Sequence, residues 1–262
     1  MITSTANPQL KNVIQLNRKG KARKEQGIFC AEGRKMFLEA PAGKIVKVYL
    51  TEDALSDGQV KEKLTKEELD FETVSEPVFR RMSDTQSPQG ILALVKTSGY
   101  RAEDLLSGPG EPFVLILEEL QDPGNLGTIF RTAEGAGVTG IFLTEGCVDV
   151  TNPKVIRSTM GSIYRIPYLY MESVHNVKAF LKERGVRIYA AHLSGKSSYE
   201  KESYRKGTAF LIGNEARGLS EEAAALADSL IRIPMEGKVE SLNAAMAAGI
   251  LMYEAYRQRR EG

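Results

Sequence analysis

The stretch Phe113-Val114-Leu115-Ile116-Leu117-Glu118-Glu119-Leu120-Gln121-Asp122-Pro123-Gly124-Asn125-Leu126-Gly127-Thr128-Ile129-Phe130-Arg131 changes character twice. Its first five residues are apolar without alternation, as in a strand covered on both faces. The middle is polar and turn-forming: Pro123-Gly124 makes the turn, and Asn125 suits the N-cap of a helix over 126–135. Arg131 then lies about one and a half turns into that helix. Outward from this unit the alternation continues. The apolar runs 140–143, 186–191, 208–212 and 230–233 read as strands. The stretches 174–184, from Ser220 onward, and 242–257 read as helices. Strands apolar throughout and alternating with helices predict an α/β domain with a parallel sheet. Ligands of such sheets bind at the carboxyl ends of the strands. The loops after Leu117, Ile212 and Ile233 are therefore where chemistry is expected.

The second loop is Gly213-Asn214-Glu215-Ala216-Arg217-Gly218-Leu219-Ser220. Gly213 and Gly218 permit positive φ or close backbone approach to a ligand. Ser220, followed by Glu221 and Glu222, is a helix N-cap. Neither phosphate-loop pattern, GxGxxG or GxxxxGK[ST], is matched, and Glu215 would repel phosphate. The loop suits a ligand that is cationic or neutral near Glu215. In the third, a strand stops at Pro234, Met235-Glu236-Gly237-Lys238-Val239-Glu240 follow, and Ser241 is the expected cap of the last helix. That helix opens with Ala244, Ala245, Ala247, Ala248 and Gly249 and continues through Ile250, Leu251, Met252 and Tyr253. An element apolar nearly all the way round needs cover on all sides. A second subunit or the same chain would supply it.

The turn-rich stretch 97–112 reads as a linker. Before it, strands at 45–50 and 91–95 alternate with helices at 33–40 and 59–69, a small α/β module. The chain has 262 residues, 42% hydrophobic and 26% charged, with a net charge of +1. That balance excludes a disordered or fibrous chain. Between Met1 and Glu25, however, lie Lys11, Arg18, Lys19, Lys21, Arg23 and Lys24 against the single acid Glu25. Such a run suits phosphate contacts or a solvated terminus. Cys30 and Cys147 form no CxxC and have no His at ligand spacing, so neither a disulfide framework nor a metal site is expected. No apolar run approaches the roughly 20 residues that span a bilayer. These features predict a soluble, cytoplasmic protein. His175 reads as a surface or capping residue, His192 as a partly buried one, and Cys147 as inert. Tyr164, Tyr168 and Tyr170 suit packing or base stacking.

Taken together, three segments resemble the motifs of the SpoU (TrmH-like) family of RNA 2′-O-ribose methyltransferases. They are Asp122-Pro123-Gly124-Asn125-Leu126-Gly127 with Arg131-Thr132-Ala133, then Gly213-Asn214-Glu215-Ala216-Arg217-Gly218-Leu219, and Ile233-Pro234-Met235 with Gly237 and Ser241-Leu242-Asn243. The resemblance covers residues 113–258, each motif following an expected strand in the family's order. Residues 1–96, chiefly through Phe29-Cys30-Ala31-Glu32-Gly33 and Ser87-Pro88-Gln89-Gly90, resemble the RNA-binding module often placed before this domain.

The resemblance implies an organisation of 1–96 for RNA binding, 97–112 as linker and 113–262 for catalysis, with a deep trefoil knot in the second domain. It implies S-adenosylmethionine as cofactor, held through Gly213, Ile233, Met235 and Leu242, with Ala191-His192-Leu193 as a further wall. It implies a catalytic centre of Asn125, Arg131, Glu215, Ser241 and Asn243, no metal, and a homodimer through the last helix. The family picture makes Arg131 the general base. A guanidinium stays protonated in proteins and is a poor base. Clamping an RNA phosphate and stabilising the developing 2′-alkoxide are roles that fit it better. Asn125, Ser241 and Asn243 would hold the ribose and Arg131 in place. Ribosomal RNA is the expected substrate. Transfer RNA, a non-catalytic ribosome-assembly protein and an unrelated nucleotide-binding enzyme are the alternatives.

Overall fold

The structure, a computed structural model, describes residues 1–261. The chain divides into two compact units. Met1–Gly99 with Asp149–Tyr164 form the first; Tyr100–Val148 and the chain from Arg165 onward form the second. No described helix is long and apolar enough to cross a membrane.

In the first unit, strands β1 (Ile28–Glu32), β2 (Ile45–Leu50), β3 (Phe71–Thr73) and β4 (Ile91–Lys96) form a sheet in the order β1-β4-β2-β3. β4 is antiparallel to both its neighbours, and β3 runs parallel to β2. Sequence reading finds β2 and β4 and misses β1 and β3. It also misses that the basic run folds into two helices, Pro8–Arg18 and Gly20–Gln26. The first is legible in retrospect. The Asn7 side chain caps it, Pro8 opens it, and Leu10, Val13 and Leu16 form one buried stripe against Cys30, Phe79 and Leu92. Lys11, Arg18, Lys19, Lys21 and Lys24 remain on the exposed side.

Arg23 does not, and here the reading of the basic run is corrected. Arg23 is only 4% exposed. Its guanidinium donates to Asp149 Oδ2 at 2.5 and 3.1 Å, to Thr151 Oγ1 at 3.1 Å and to the Leu16 carbonyl at 2.7 Å. It thus ties Asp149–Tyr164 into the first unit. Tyr164 helps, its ring stacked on Phe29 with centroids 6.4 Å apart and its hydroxyl donating to the Met36 carbonyl. Replacing Arg23 with alanine leaves Asp149 and the Leu16 carbonyl without this donor. The expected cost is about 2–3 kcal/mol, less than the roughly 3–5 kcal/mol of a fully buried pair because Asp149 keeps some solvent. Urea unfolding measures it, and a wild-type midpoint would show the pair to be dispensable.

In the second unit, strands β5 (Phe113–Leu117), β6 (Gly140–Thr144), β7 (Tyr168–Met171), β8 (Arg187–Ala191), β9 (Ser197–Ser198), β10 (Thr208–Ile212) and β11 (Ser229–Arg232) form one sheet. The order is β7-β6-β5-β10-β8-β11-β9, and every pairing is parallel. The α/β expectation therefore stands, with β7 and β9 added. β5, β6 and β10 are buried at every position, which is why their sequences lack alternation. Tyr168 packs edge-on against Phe130 and Tyr100, and the Tyr170 hydroxyl donates to the Val148 carbonyl. Helix Ala244–Arg260 lies against helix Pro123–Ala136. Its small residues allow this close approach: Ala244, Ala245, Ala248 and Ala255 are all buried, as are the larger Leu251 and Met252.

Candidate active site

The loops after β5, β8, β10 and β11, four neighbouring strands, gather at one edge of this sheet. The loop after β5 turns sharply, Glu119 taking a φ of 50°. The residues that follow β6 hold it there. Glu119 N donates to Thr144 Oγ1 at 3.0 Å, and Leu120 N donates to Cys147 Sγ at 3.4 Å. Val148 N donates to the Leu120 carbonyl, and the Cys147 thiol donates to the Leu117 carbonyl. Cys147 is thus a buried structural thiol, its pKa pushed up by burial. Nothing local in the sequence marks Thr144 or Cys147 for this role, because their partners lie 25 to 30 residues away.

The helix cap after this loop differs from expectation. Asp122, not Asn125, is the N-cap, its Oδ1 accepting from Asn125 N at 2.8 Å with Pro123 in the first turn. That frees the Asn125 side chain. Its Nδ2 donates to Glu215 Oε1 at 3.1 Å, and its Oδ1 accepts from Asn243 Nδ2 at 2.9 Å. The second corrected cap is Asn243 in place of Ser241, its Oδ1 accepting from Ala245 N and Met246 N. The network now has one consistent direction. The helix amides fix Asn243 as a donor toward Asn125, Asn125 then donates toward Glu215, and the series ends on a carboxylate that can only accept.

Glu215 accepts two more bonds, from Gln121 N at 3.0 Å and Asp122 N at 2.8 Å. Partial burial opposes its ionisation, but the Gln121, Asp122 and Asn125 donors together outweigh it and hold the carboxyl below the ordinary glutamate range. A depressed folded-state pKa stabilises the protein above the unfolded value, and that stability is lost as pH falls through the folded one. Glu215→Gln is therefore expected to cost about 1–2 kcal/mol near neutral pH. The difference from wild type should vanish on acidification. Denaturant midpoints measured against pH check this; a gap that widens toward acid would contradict it.

The second loop closes on itself, with Asn214 and Gly218 exchanging backbone bonds and Asn214 Oδ1 accepting from Ala216 N and Arg217 N. Residues that sequence reading passes over bind it to the first. Asn214 Nδ2 donates to the Glu119 carbonyl, Arg217 pairs with Glu119 at 2.5 Å, and Ser220 donates to Glu118 through both N and Oγ.

Two adjoining cavities result. One, of about 480 Å³, is lined by Asn125, Glu215, Ser241 and Asn243. The other, of about 420 Å³, is lined by Gly213, Ile233, Met235, Leu242, Ala191 and His192 among others. Glu215, Ser241, Leu242 and Ala244 border both. The structure thus brings together every expected site residue except Arg131, which is exposed, lines neither cavity, and makes no side-chain hydrogen bond or ion pair with a described residue. Leu193 and Leu242, exposed at the rim of the second cavity, offer an apolar surface that a flat ring would cover. The slot suits an adenosine body, and the carboxylate beside it suits a cationic group. His192 accepts from Ser194 N, and His175 pairs with Glu222 on the surface. Among the described residues no group of His, Cys, Asp and Glu is placed to hold a metal ion.

In class this is an α/β enzyme, with its ligand cavities at the carboxyl edge of a parallel sheet. Comparison with known proteins makes it more particular. Residues 112–253 match the SpoU rRNA Methylase family, and residues 7–93 match the MRM3-like substrate binding domain. The chain is 34% identical to the 23S rRNA (guanosine(2553)-2′-O)-methyltransferase RlmP of Bacillus subtilis, over 96% of this chain and 97% of that one. The crystal structure of an AdoMet-bound rRNA methyltransferase from Sinorhizobium meliloti superposes with a TM-score of 0.85 at 33% identity, covering 98% of this chain and 97% of that one. The SpoU methyltransferase AviRb from Streptomyces viridochromogenes, in complex with AdoMet, gives 0.89 at 25% identity, over 98% and 99%. The chain belongs to the SpoU methylase family, and it is an RNA methyltransferase.

Proposed function

We propose that the protein transfers a methyl group from S-adenosylmethionine to a ribose 2′-hydroxyl of ribosomal RNA. The observation that carries this is the pair of cavities sharing Glu215, Ser241 and Leu242, an apolar slot opening beside a polar cage. The relatives support it, RlmP being named a 23S rRNA 2′-O-methyltransferase and two superposable structures holding AdoMet. S-adenosylmethionine, when bound, supplies an electrophilic methyl group on a sulfonium. Backbone groups of Gly213, Ile233 and Leu242 hold its adenosine part, with Met235 in the same wall. Glu215 already accepts three hydrogen bonds, so its work is to fix Asn125 and the first loop. Asn125, Ser241 and Asn243 orient the ribose. Arg131 lines neither cavity in the free protein; with no side-chain partner to release among the described residues, it turns onto an RNA phosphate and stabilises the developing 2′-alkoxide as the hydroxyl proton passes to solvent.

Membership of the SpoU family favours a trefoil knot in this domain. β10 enters between β5 and β8, and β11 enters between β8 and β9, so the chain twice returns inside strands already laid down. Residues 1–96, with Asp149–Tyr164 packed into the same unit, serve as the RNA-binding domain; the stretch 97–112 leads into the catalytic domain and from Tyr100 packs with it, in a cytoplasmic protein. A homodimer forms through the last helix. Met246, Ile250 and Tyr253, spaced i, i+4, i+7, make a stripe whose ends are 60% and 49% exposed. Met246→Glu with Tyr253→Glu is expected to give a monomer in sedimentation equilibrium, and an unchanged mass would move the interface elsewhere.

The test is transfer of radiolabelled methyl from S-adenosylmethionine to ribosomal and transfer RNA from cells lacking the gene, followed by nuclease mapping. Label on a ribose 2′-oxygen of ribosomal RNA is the expected result. Label only on transfer RNA would correct the substrate, and cofactor binding without label on any RNA would favour a role in assembly.

A further inference from the structure

We propose that the amino-end edge of the parallel sheet, opposite the active-site loops, is a second contact surface for the RNA backbone. The proposal rests on the RNA methyltransferase reading. At this edge a groove of about 270 Å³ is lined by Lys178, Lys182, Gly185, Arg187 and Asp228. Arg187 begins β8, whose other end carries Ala191 and the cavity wall, roughly 13 Å away. The surface is thus no part of the methyl-transfer site.

Lys178 and Lys182 stand four residues apart on helix Val174–Lys182 and share one face. Arg187 borders the groove at the start of β8, its guanidinium 5.2 Å from the centre of the Tyr189 ring. Arg187 N donates to the Gly207 carbonyl, and this places Arg205 and Lys206, the two residues before Gly207, beside the same edge. None of these five cations forms an ion pair with a described residue. The acids nearby are engaged. Asp228 accepts from Ile188 N, Glu111 from Gly207 N, and Glu183 faces Arg184.

Lys182 has a structural use, since it sits at the negative end of its helix. Lys178, Arg205 and Lys206 have none, and the Tyr189 contact of Arg187 leaves its charge without an ion-pair partner among the described residues. In a chain of net charge +1, this concentration at one edge is an asymmetry that asks for a polyanion. The groove is open and carries no stacking platform, so it suits a run of phosphates read by charge alone.

The experiment measures the salt dependence of binding to a fluorescent RNA hairpin by anisotropy. Compared are the wild type, the triple variant Lys178→Gln, Arg187→Gln, Lys206→Gln, and the charge-keeping variant Lys178→Arg, Arg187→Lys, Lys206→Arg. The glutamine variant is expected to flatten the slope of log Kd against log salt by about 2 and to weaken binding at least tenfold near 0.1 M salt (about 0.7–0.9 of slope per phosphate contact). The charge-keeping variant should retain the wild-type slope. An unchanged slope in the glutamine variant, or an equal loss in both, would overturn the proposal. Because the readout is binding, a wild type that binds the hairpin but methylates no RNA would sink the proposed function and leave this comparison to decide the surface.

Discussion

Arg131→Ala is expected to reduce methyl transfer by roughly 10²–10³-fold, the loss typical of removing a group that stabilises developing negative charge. Cofactor affinity should stay near wild type, because Arg131 lines neither cavity. Stability should change by no more than about 0.5 kcal/mol, since an exposed helix position accepts alanine readily. The loss would therefore belong to the reaction and not to the fold. Arg131→Lys keeps the charge but not the planar fork that grips phosphate with two bonds, so it should recover only a small part of the rate. Single-turnover kinetics with saturating RNA, beside calorimetric titration of S-adenosylmethionine, separates these effects. Turnover near wild type in the alanine variant would remove Arg131 from the mechanism. A weakened cofactor titration would instead make it part of the cofactor site.

Gly213→Ala is expected to weaken cofactor binding by about 10²-fold, for a reason of space. A Cβ at this position would lie 2.5 Å from the Gly218 carbonyl oxygen and closer still to the Gly218 carbonyl carbon and Leu219 nitrogen. All three are backbone, so the loop must move as a whole. A displacement on the order of 1 Å in such a site costs on the order of 10²-fold. The shift would also disturb Glu215, two residues on, and with it the bonds to Asp122 and Asn125. Gly218 offers the contrast within the same loop. It adopts a φ of +70°, and a Cβ added there would have nothing within 4 Å. Gly218→Ala therefore meets conformational strain of about 1 kcal/mol and no collision. The expected order of cofactor affinity is wild type, then Gly218→Ala somewhat weaker, then Gly213→Ala weakest. Equal affinities for the two variants would show that the Gly213–Gly218 approach does not shape the cavity.

Much of this site is legible locally. Val114-Leu115-Ile116 and Ala209-Phe210-Leu211 announce doubly covered strands by their want of alternation, and the polar loops after them follow from strand direction. The caps show where local reading stops. Asp122 and Asn125 are both good N-caps, as are Ser241 and Asn243. Asp122-Pro123 carries a usable signal, proline favouring the first helical position, which the turn reading of Pro123-Gly124 obscures. Which amide is left to face the site depends on Glu215, 90 residues from Asn125, and on Asn243, 118 residues away. Arg23 escapes local reading for the same reason. Its neighbours Lys19, Lys21 and Lys24 describe a solvated face, and only Asp149, 126 residues on, draws one member of that run inside.

By itself the sequence determined the α/β alternation, the three chemistry-bearing loops and the residue types they present, because burial on both faces and turn chemistry are written into short windows. The tertiary structure alone decided that β10 lies between β5 and β8, that Asp149–Tyr164 packs with the first unit, and that Thr144 and Cys147 brace the first loop. Those outcomes turn on hydrogen bonds and ion pairs between residues far apart in the chain. A donor's local sequence states what it can bind and leaves open which partner folding will bring to it.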